Sequence, residues 1–429
     1  MLNSRMFALA LATVMIVPAV QAQVSFQTAM HFAAGDGIQT LDLSAIACAD
    51  FDGDGDVDLI VTSSNLMLVA DPVMILANDG DGNFSIQSTL DVRSRPFSIV
   101  VADLNADGEL DLAIALLADD AVGVLFGDGL GGFGVATQYA VGDGPLHVTA
   151  ADIDGRNGLD LLTANEQDDT VSVLLNDGAG TFAPALAIDV AVVNGASRSE
   201  PNGTAVGDFD GNGNGDLAVA LAFRDELGVL LGNGDGTFGE MTLYAVGRDP
   251  HKVLADDLNA DGDLDLIVIN TTDDTATVLL GDGTGDFTGD GTYTAGNNPE
   301  ALALADLDED GNLDLVTANR EGDNVSVLLG NGDGTFGTAD TFAVGGAPVG
   351  VVVADLNGDG DLDIATANQE GSLIAQDDVS VLLAGETVPP DDGPLPCGFS
   401  FGPLGLMPFM FMALGLVGLR RYGQRLGLY

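Results

Sequence analysis

Short apolar runs rich in Val, Ile, Leu and Ala recur along the chain, each bounded by polar, glycine-rich breaks. Leu59-Ile60-Val61-Thr62, Leu266-Ile267-Val268-Ile269 and Val325-Ser326-Val327-Leu328-Leu329 are examples. Runs of this length and composition between Gly, Asn and Asp predict β-strands. They come in a fixed order. A run ending in a small residue, such as Val253-Leu254-Ala255 or Val351-Val352-Val353-Ala354, leads into an acidic phrase, and a second run leaves it. A third run follows a polar turn. Then come a Gly-Asn-Gly-Asp-Gly-Thr-Phe turn (Gly330 to Phe336) and a fourth run, Thr341-Phe342-Ala343-Val344. The glycine-rich stretches Gly232–Gly236 and Gly330–Gly334 lie between two strands, where hairpin turns are expected rather than cation sites.

The acidic phrase returns seven times, starting at Asp50, Asp103, Asp152, Asp208, Asp257, Asp306 and Asp355, at spacings of 53, 49, 56, 49, 49 and 49 residues. So regular a period marks one copied supersecondary unit. Four short strands per unit of ~40–50 residues make a propeller blade, so the chain is predicted to be all-β, a seven-bladed β-propeller of four-stranded blades. The seventh unit ends at Val379-Ser380-Val381-Leu382-Leu383 without a fourth strand, while an orphan β-like segment, Val24 to Phe32, precedes the first phrase. Pairing the two leaves no long sheet edge open, so the ring is expected to be closed by the N-terminal strand. The 56-residue spacing predicts an insertion around Ala187–Glu200, a candidate ligand loop bearing Arg198.

The first phrase is Asp50-Phe51-Asp52-Gly53-Asp54-Gly55-Asp56-Val57-Asp58. Oxygens of positions 1, 3, 5 and 9, with the carbonyl of position 7, suffice to wrap one hard cation, and the glycine permits a sharp turn. An EF-hand is excluded: position 12 is Val61, Ile114, Thr163, Val219, Val268, Thr317 or Thr366, none of them acidic. Five phrases carry oxygen side chains at all four positions. They supply Asp50, Asp52, Asp54, Asp56 and Asp58; Asp103, Asn105, Asp107, Glu109 and Asp111; Asp257, Asn259, Asp261, Asp263 and Asp265; Asp306, Asp308, Asp310, Asn312 and Asp314; and Asp355, Asn357, Asp359, Asp361 and Asp363. The fourth copy, Asp208, Asp210, Asn212, Asn214 and Asp216, has one charge fewer and is expected to bind more weakly. The third places Arg156 at position 5 and Asn157 where glycine belongs, so a guanidinium paired with Asp152, Asp154 or Asp160 is expected to stand in for metal.

These units resemble the FG-GAP or VCBS repeat of bacterial surface proteins and the integrin α-subunit head, over roughly residues 24–385. The likeness rests on Phe336-Gly337, Gly346-Ala347-Pro348 and the loop Asp355 to Asp363. It implies a propeller with calcium in the loops between the first and second strands of blades, here five to six ions. Some proteins with this repeat are polysaccharide lyases or dehydratases with the active site over the channel.

Residues 1–22 read as a secretory signal: Arg5, an apolar stretch from Met6 to Val17, and the small-residue site Val20-Gln21-Ala22. The propeller is expected over 23–385 and a Pro-rich linker over 386–397. Residues 398–429 carry an uncharged span, Phe399 to Leu419, and then Arg420, Arg421 and Arg425. That order resembles a C-terminal transmembrane or sorting segment with the arginines kept inside, with Cys397 as a processing point or an idle thiol. Cys48 sits in an apolar run and is expected to be a small buried thiol.

With 66 acidic against 12 basic residues the formal charge is −54, and seven divalent ions would still leave about −40. Such a surface disfavours nucleic acid and acidic glycans. No persuasive catalytic set is evident among the three histidines, and paired carboxylates occur throughout. Six units carry a proline seven residues before the acidic phrase: Pro96, Pro145, Pro201, Pro250, Pro299 and Pro348. The two positions after each vary, and on a propeller they start the innermost strand. His147, His251, Lys252 and Glu300 are therefore the candidate ligand residues, ringing one channel mouth. A secreted, surface-tethered binding or adhesion module for an extracellular glycan or protein is the leading expectation, with membrane contact only through the C-terminal segment. A channel-mouth enzyme and a structural surface-layer component are the alternatives.

Overall fold

A computed structural model describes residues 24–34, 42–64, 71–92, 94–156, 158–191, 198–369 and 378–385. The signal-like N-terminus, the Pro-rich linker, Cys397 and the C-terminal span lie outside the described residues.

Seven four-stranded antiparallel sheets form the protein, and one 3-10 turn, Ala222–Arg224, is the sole helical element among the described residues. Blade 1 runs Leu43–Ala49, Asp58–Ser63, Pro72–Asn78 and Phe84–Asp91 from inside to outside. The inner strands touch in sequence, and that of blade 7 touches that of blade 1, so the chain is a closed β-propeller. Second strands such as Asp111–Leu116 are buried at every residue. This is why they read as unbroken apolar runs: sheets stacked on both faces leave no solvent side. Outer strands such as Thr137–Ala140 are mostly exposed and polar.

Closure by the N-terminus is as the strand count predicts. In blade 7 the strands Pro348–Ala354, Asp363–Asn368 and Asp378–Leu382 are completed by Met30–Ala33, with Met30 opposite Val381 and Ala33 opposite Asp378. The Gln27 amide donates to the Leu383 carbonyl at 2.8 Å, and Gly385 to Ser25 at 2.7 Å. The same segment reaches both neighbouring blades, because Phe26 packs edgewise on Phe342 (5.0 Å) and Phe32 on Phe84 (5.5 Å).

Each inner strand after blade 1 opens on a buried proline, and the ladder slips immediately beyond it, as between Pro145 and His147 or Pro299 and Ala301. A residue lacking N–H tolerates the missing rung, and the bulge re-aims the side chains that follow. Leu186–Asp189 is the outer strand of blade 3, so the extra residues begin after Asp189 rather than at Ala187. Cys48 is partly exposed rather than fully buried, yet its surroundings push the thiol up to about 11.

Deleting residues 24–33 from the full chain should bare the edge of Asp378–Leu382 and remove two inter-blade aromatic contacts. The expected outcome is a lower thermal midpoint and self-association by light scattering. An unchanged monomer with an unchanged midpoint would show that the ring does not depend on this strand.

Candidate functional site

Every acidic loop lies between the first and second strands of its blade and is shaped by its own carboxylates. In six of the seven loops the first aspartate accepts two backbone N–H bonds: Asp50 from Gly53 (2.8 Å) and Gly55 (3.1 Å), Asp306 from Asp310 (3.0 Å) and Gly311 (2.9 Å). The glycine at position 6 has a positive φ, as in Gly55 (100°) and Gly360 (98°), while a Cβ there would meet nothing within 4 Å. Glycine is thus required by backbone strain and not by crowding.

The ninth position does something the sequence did not reveal. Asp58, Asp111, Asp160, Asp216, Asp265, Asp314 and Asp363 are all fully buried. In each, Oδ2 accepts from the backbone N–H of loop position 2, and Oδ1 from an N–H at the end of the third strand. For Asp216 these donors are Phe209 (2.7 Å) and Gly232 (2.6 Å); for Asp314 they are Leu307 and Gly330 (both 2.8 Å). The carbonyl of position 2 then accepts from the next blade's hairpin turn. Gly131 N donates to Phe51 at 2.8 Å, Gly285 N to Phe209 at 2.9 Å and Gly334 N to Leu258 at 3.1 Å. Asn176 Nδ2 donates to Leu104 and Asn78 Nδ2 to Leu356, both at 2.8 Å, the latter joining blade 1 to blade 7. The Gly232–Gly236 and Gly330–Gly334 stretches are hairpin turns, closed by Asn233 N to Thr237 O and Asn331 N to Thr335 O, both 2.9 Å.

The loops also gather negative charge. Asp50, Asp52 and Asp58 bring carboxylate oxygens within 4.8 Å of one another, as do Asp152, Asp154 and Asp160, Asp208, Asp210 and Asp216, and Asp306, Asp308 and Asp314. In the other three loops the third position is an amide: Asn105, Asn259 or Asn357. Burial pushes the ninth-position carboxylates up, Asp314 to about 7 and Asp58, Asp265 and Asp363 to about 6; the other loop carboxylates add to this and the backbone N–H bonds oppose it. Asp308 Oδ1 is buried without a hydrogen-bond partner. Converging, orphaned oxygens on a glycine-shaped loop fit a hard cation. The third loop converges like the others, and Arg156 reaches only Asp154, at 3.4 Å, with its side chain 73% exposed.

The four channel-mouth candidates come together. His147, His251, Lys252 and Glu300 line one cavity of about 420 Å³, joined by Arg95 and Phe97 from blade 2, Arg320 from blade 6 and Gln369 from blade 7. Arg198 does not line it and pairs instead with Glu200 at 3.1 Å. His251 Nδ1 donates to the Glu300 carbonyl (3.1 Å) and lies 3.4 Å from Glu300 Oε2. Arg320 Nη1 lies 3.5 Å from Glu300 Oε1, and its Nη2 donates to Gln369 Oε1 at 3.1 Å. His147 Nδ1 accepts from the Thr204 N–H at 3.1 Å, which fixes the proton on Nε2 and makes this ring a strut between the inner strands of blades 3 and 4. Burial holds both histidines below the ordinary range, His251 against the pull of Glu300, and pushes Lys252 down to about 8. A Cβ on Gly203 would meet the His251 carbonyl at 2.5 Å, so glycine there lets blade 4 approach the strand that carries His251 and Lys252.

A closed ring of seven four-stranded blades, with an acidic loop between the first two strands of each, is a seven-bladed β-propeller. The FG-GAP-like repeat model matches residues 50–114, 208–268, 257–317 and 306–366, about half of the chain, and the chain belongs to that family. No curated protein matches it. Among solved structures it is similar to virginiamycin B lyase from Staphylococcus aureus (14% identity, TM-score 0.56, 83% of this chain and 99% of that one). It is also similar to the periplasmic gluconolactonase of Pseudomonas aeruginosa (17%, 0.53, 70% and 85%). A third is an Agrocybe aegerita lectin that recognises non-reducing terminal N-acetylglucosamine (22%, 0.50, 72% and 82%). At these identities the likeness is one of fold.

Two predictions concern the buried aspartates. Asp111→Asn turns an NH₂ toward one of two backbone donors and leaves that donor unpaired, which should cost about 1–3 kcal/mol by denaturant titration. In chelator, stability should fall as pH rises from about 4 to about 7. The folded chain keeps protons on Asp58, Asp265, Asp314 and Asp363 that the unfolded chain has released above its value of 3.8. His147 and His251, held low, oppose this below 6.5 but are outnumbered by the seven carboxylates. A higher melting point at pH 7.5 than at pH 4.5 in chelator would refute it.

Proposed function

We propose that this protein is a calcium-stabilised binding module, exported through residues 1–22 and held at the cell surface by residues 398–429, that takes an extracellular glycan or protein ligand at the channel mouth. The observation that carries this reading is the gathering of Arg95, His147, His251, Lys252, Glu300 and Arg320, from four different blades, around one cavity. The acidic loops lie at the opposite ends of the inner strands from the prolines that open onto this mouth. The lectin among the similar folds lends support at the level of architecture alone.

Calcium in this reading is structural. All-oxygen loops of this kind in extracellular modules bind at about 10⁻⁴–10⁻³ M, which a calcium-bearing exterior supplies. Five to six ions are proposed, with the Arg156 loop the weakest. The cations neutralise carboxylates that otherwise repel one another beside the blade junctions.

Calorimetric melting in millimolar calcium should lie many degrees above melting in chelator, and coincident curves would remove structural calcium from the proposal. A glycan and protein array probed with the full chain should give a discrete set of ligands, altered in Glu300→Ala with melting retained. A featureless array would sink the binding reading and leave a structural surface component.

A further inference from the structure

We propose that the channel mouth recognises a single carboxylate-bearing sugar, a uronic acid residue at the end of an otherwise uncharged glycan. This rests on the binding reading above and specifies the ligand's chemistry.

The argument begins with charge economy. Of 12 basic residues in a chain with 66 acidic ones, three converge on one cavity, against two acidic ones there, Asp42 and Glu300. Lys252 is the only lysine in the chain. Its ammonium makes no hydrogen bond among the described residues and feels the Glu300 carboxylate alone. Arg95 lies at the cavity near Asp71, with its Nε buried and without a hydrogen-bond partner. Elsewhere basic side chains are paired: Arg248 with Asp273 at 2.6 Å, Arg224 with Glu226 at 2.8 Å. Half-buried cations beside an unused donor are poorly satisfied unless a further anion arrives to meet them. Glu300 answers them only in part, since its one carboxylate is shared among Lys252, His251 and Arg320.

The anion has to be small and singly charged. A chain at −54 repels a polyanion at long range, so an extended acidic polysaccharide is disfavoured, whereas one carboxylate inside the mouth feels the local cations. The cavity's volume of about 420 Å³ falls within the range of small-ligand sites, about 300–1,000 Å³. Phe97 supplies an apolar ring beside the cations, a surface for the C–H face of a sugar. Gln369 and the Nε2–H of His147 add neutral polar groups suited to hydroxyls.

The test compares neutral disaccharides capped with glucuronate or galacturonate against their carboxyl-reduced counterparts, by NMR titration of the full chain in calcium. One acid form should bind at least about tenfold more tightly than its reduced form. Lys252→Met should erase that preference. Arg320→Gln, at a side chain 45% exposed and therefore safe for folding, should weaken the acid form several-fold more than the reduced form. Equal affinity for acid and reduced forms would overturn the proposal while the binding reading stands. A peptide C-terminal carboxylate binding where no sugar acid does would also overturn it, in favour of a protein ligand. Binding of none of these overturns it as well, and the array alone then judges the broader reading.

Discussion

Asp58, Asp111, Asp160, Asp216, Asp265, Asp314 and Asp363 are buried completely, and each binds two backbone donors from separate parts of its blade at 2.6–3.2 Å. One oxygen fixes the second residue of the acidic loop, and the other fixes the end of the third strand. The loop residue so fixed turns its carbonyl to the neighbouring blade, which donates to it at five of the seven junctions. A single carboxylate therefore ties together one blade's loop, its third strand and the next blade. No apolar side chain could do this, because the groups being joined are backbone donors that would otherwise be buried unpaired.

That arrangement creates the need for a cation. The clamp works best ionised, since a carboxylate accepts more strongly than a carboxylic acid. Yet burial and the neighbouring loop carboxylates favour the protonated form, up to about 7 for Asp314. Two remedies exist: bind a proton, or bind a metal ion among positions 1, 3 and 9. The first operates in acid, and the second would operate at neutral pH. Proton binding and the proposed cation binding are thus two answers to one electrostatic problem.

Much of this was legible beforehand. The 49-residue period, the missing fourth strand after Leu383 and the orphan segment around Phe32 led to the closed ring, because strand order and edge avoidance leave few alternatives. His147, His251, Lys252 and Glu300 were found through position alone, two residues beyond or directly after a repeated proline. The double role of the ninth aspartate was hidden, since an acidic residue in an acidic loop reads as a ligand, and its second backbone partner lies 16 to 21 residues downstream. Arg95 and Arg320 were missed for a different reason. Arg320 follows a second strand rather than preceding a first, and in an antiparallel pair the end of one strand and the start of the other share an edge. Reading both kinds of turn together would have placed it.

The ring and the mouth obey opposite rules, and the fold keeps them apart along each inner strand. At one end of the strand, before the acidic loop, every blade repeats the same carboxylates, and symmetry is what stability requires. At the other, just after the proline, the blades differ: Phe97, His147, Gly203, Lys252 and Glu300 occupy corresponding turns. The bulge there releases one or two residues from the ladder, so side chains vary without disturbing the junctions that the buried aspartates hold. A rigid, strongly negative frame can in this way carry a local cluster of cations at the mouth, and the contrast between that cluster and the surrounding field is the basis of the proposed preference for one small anion over a long one.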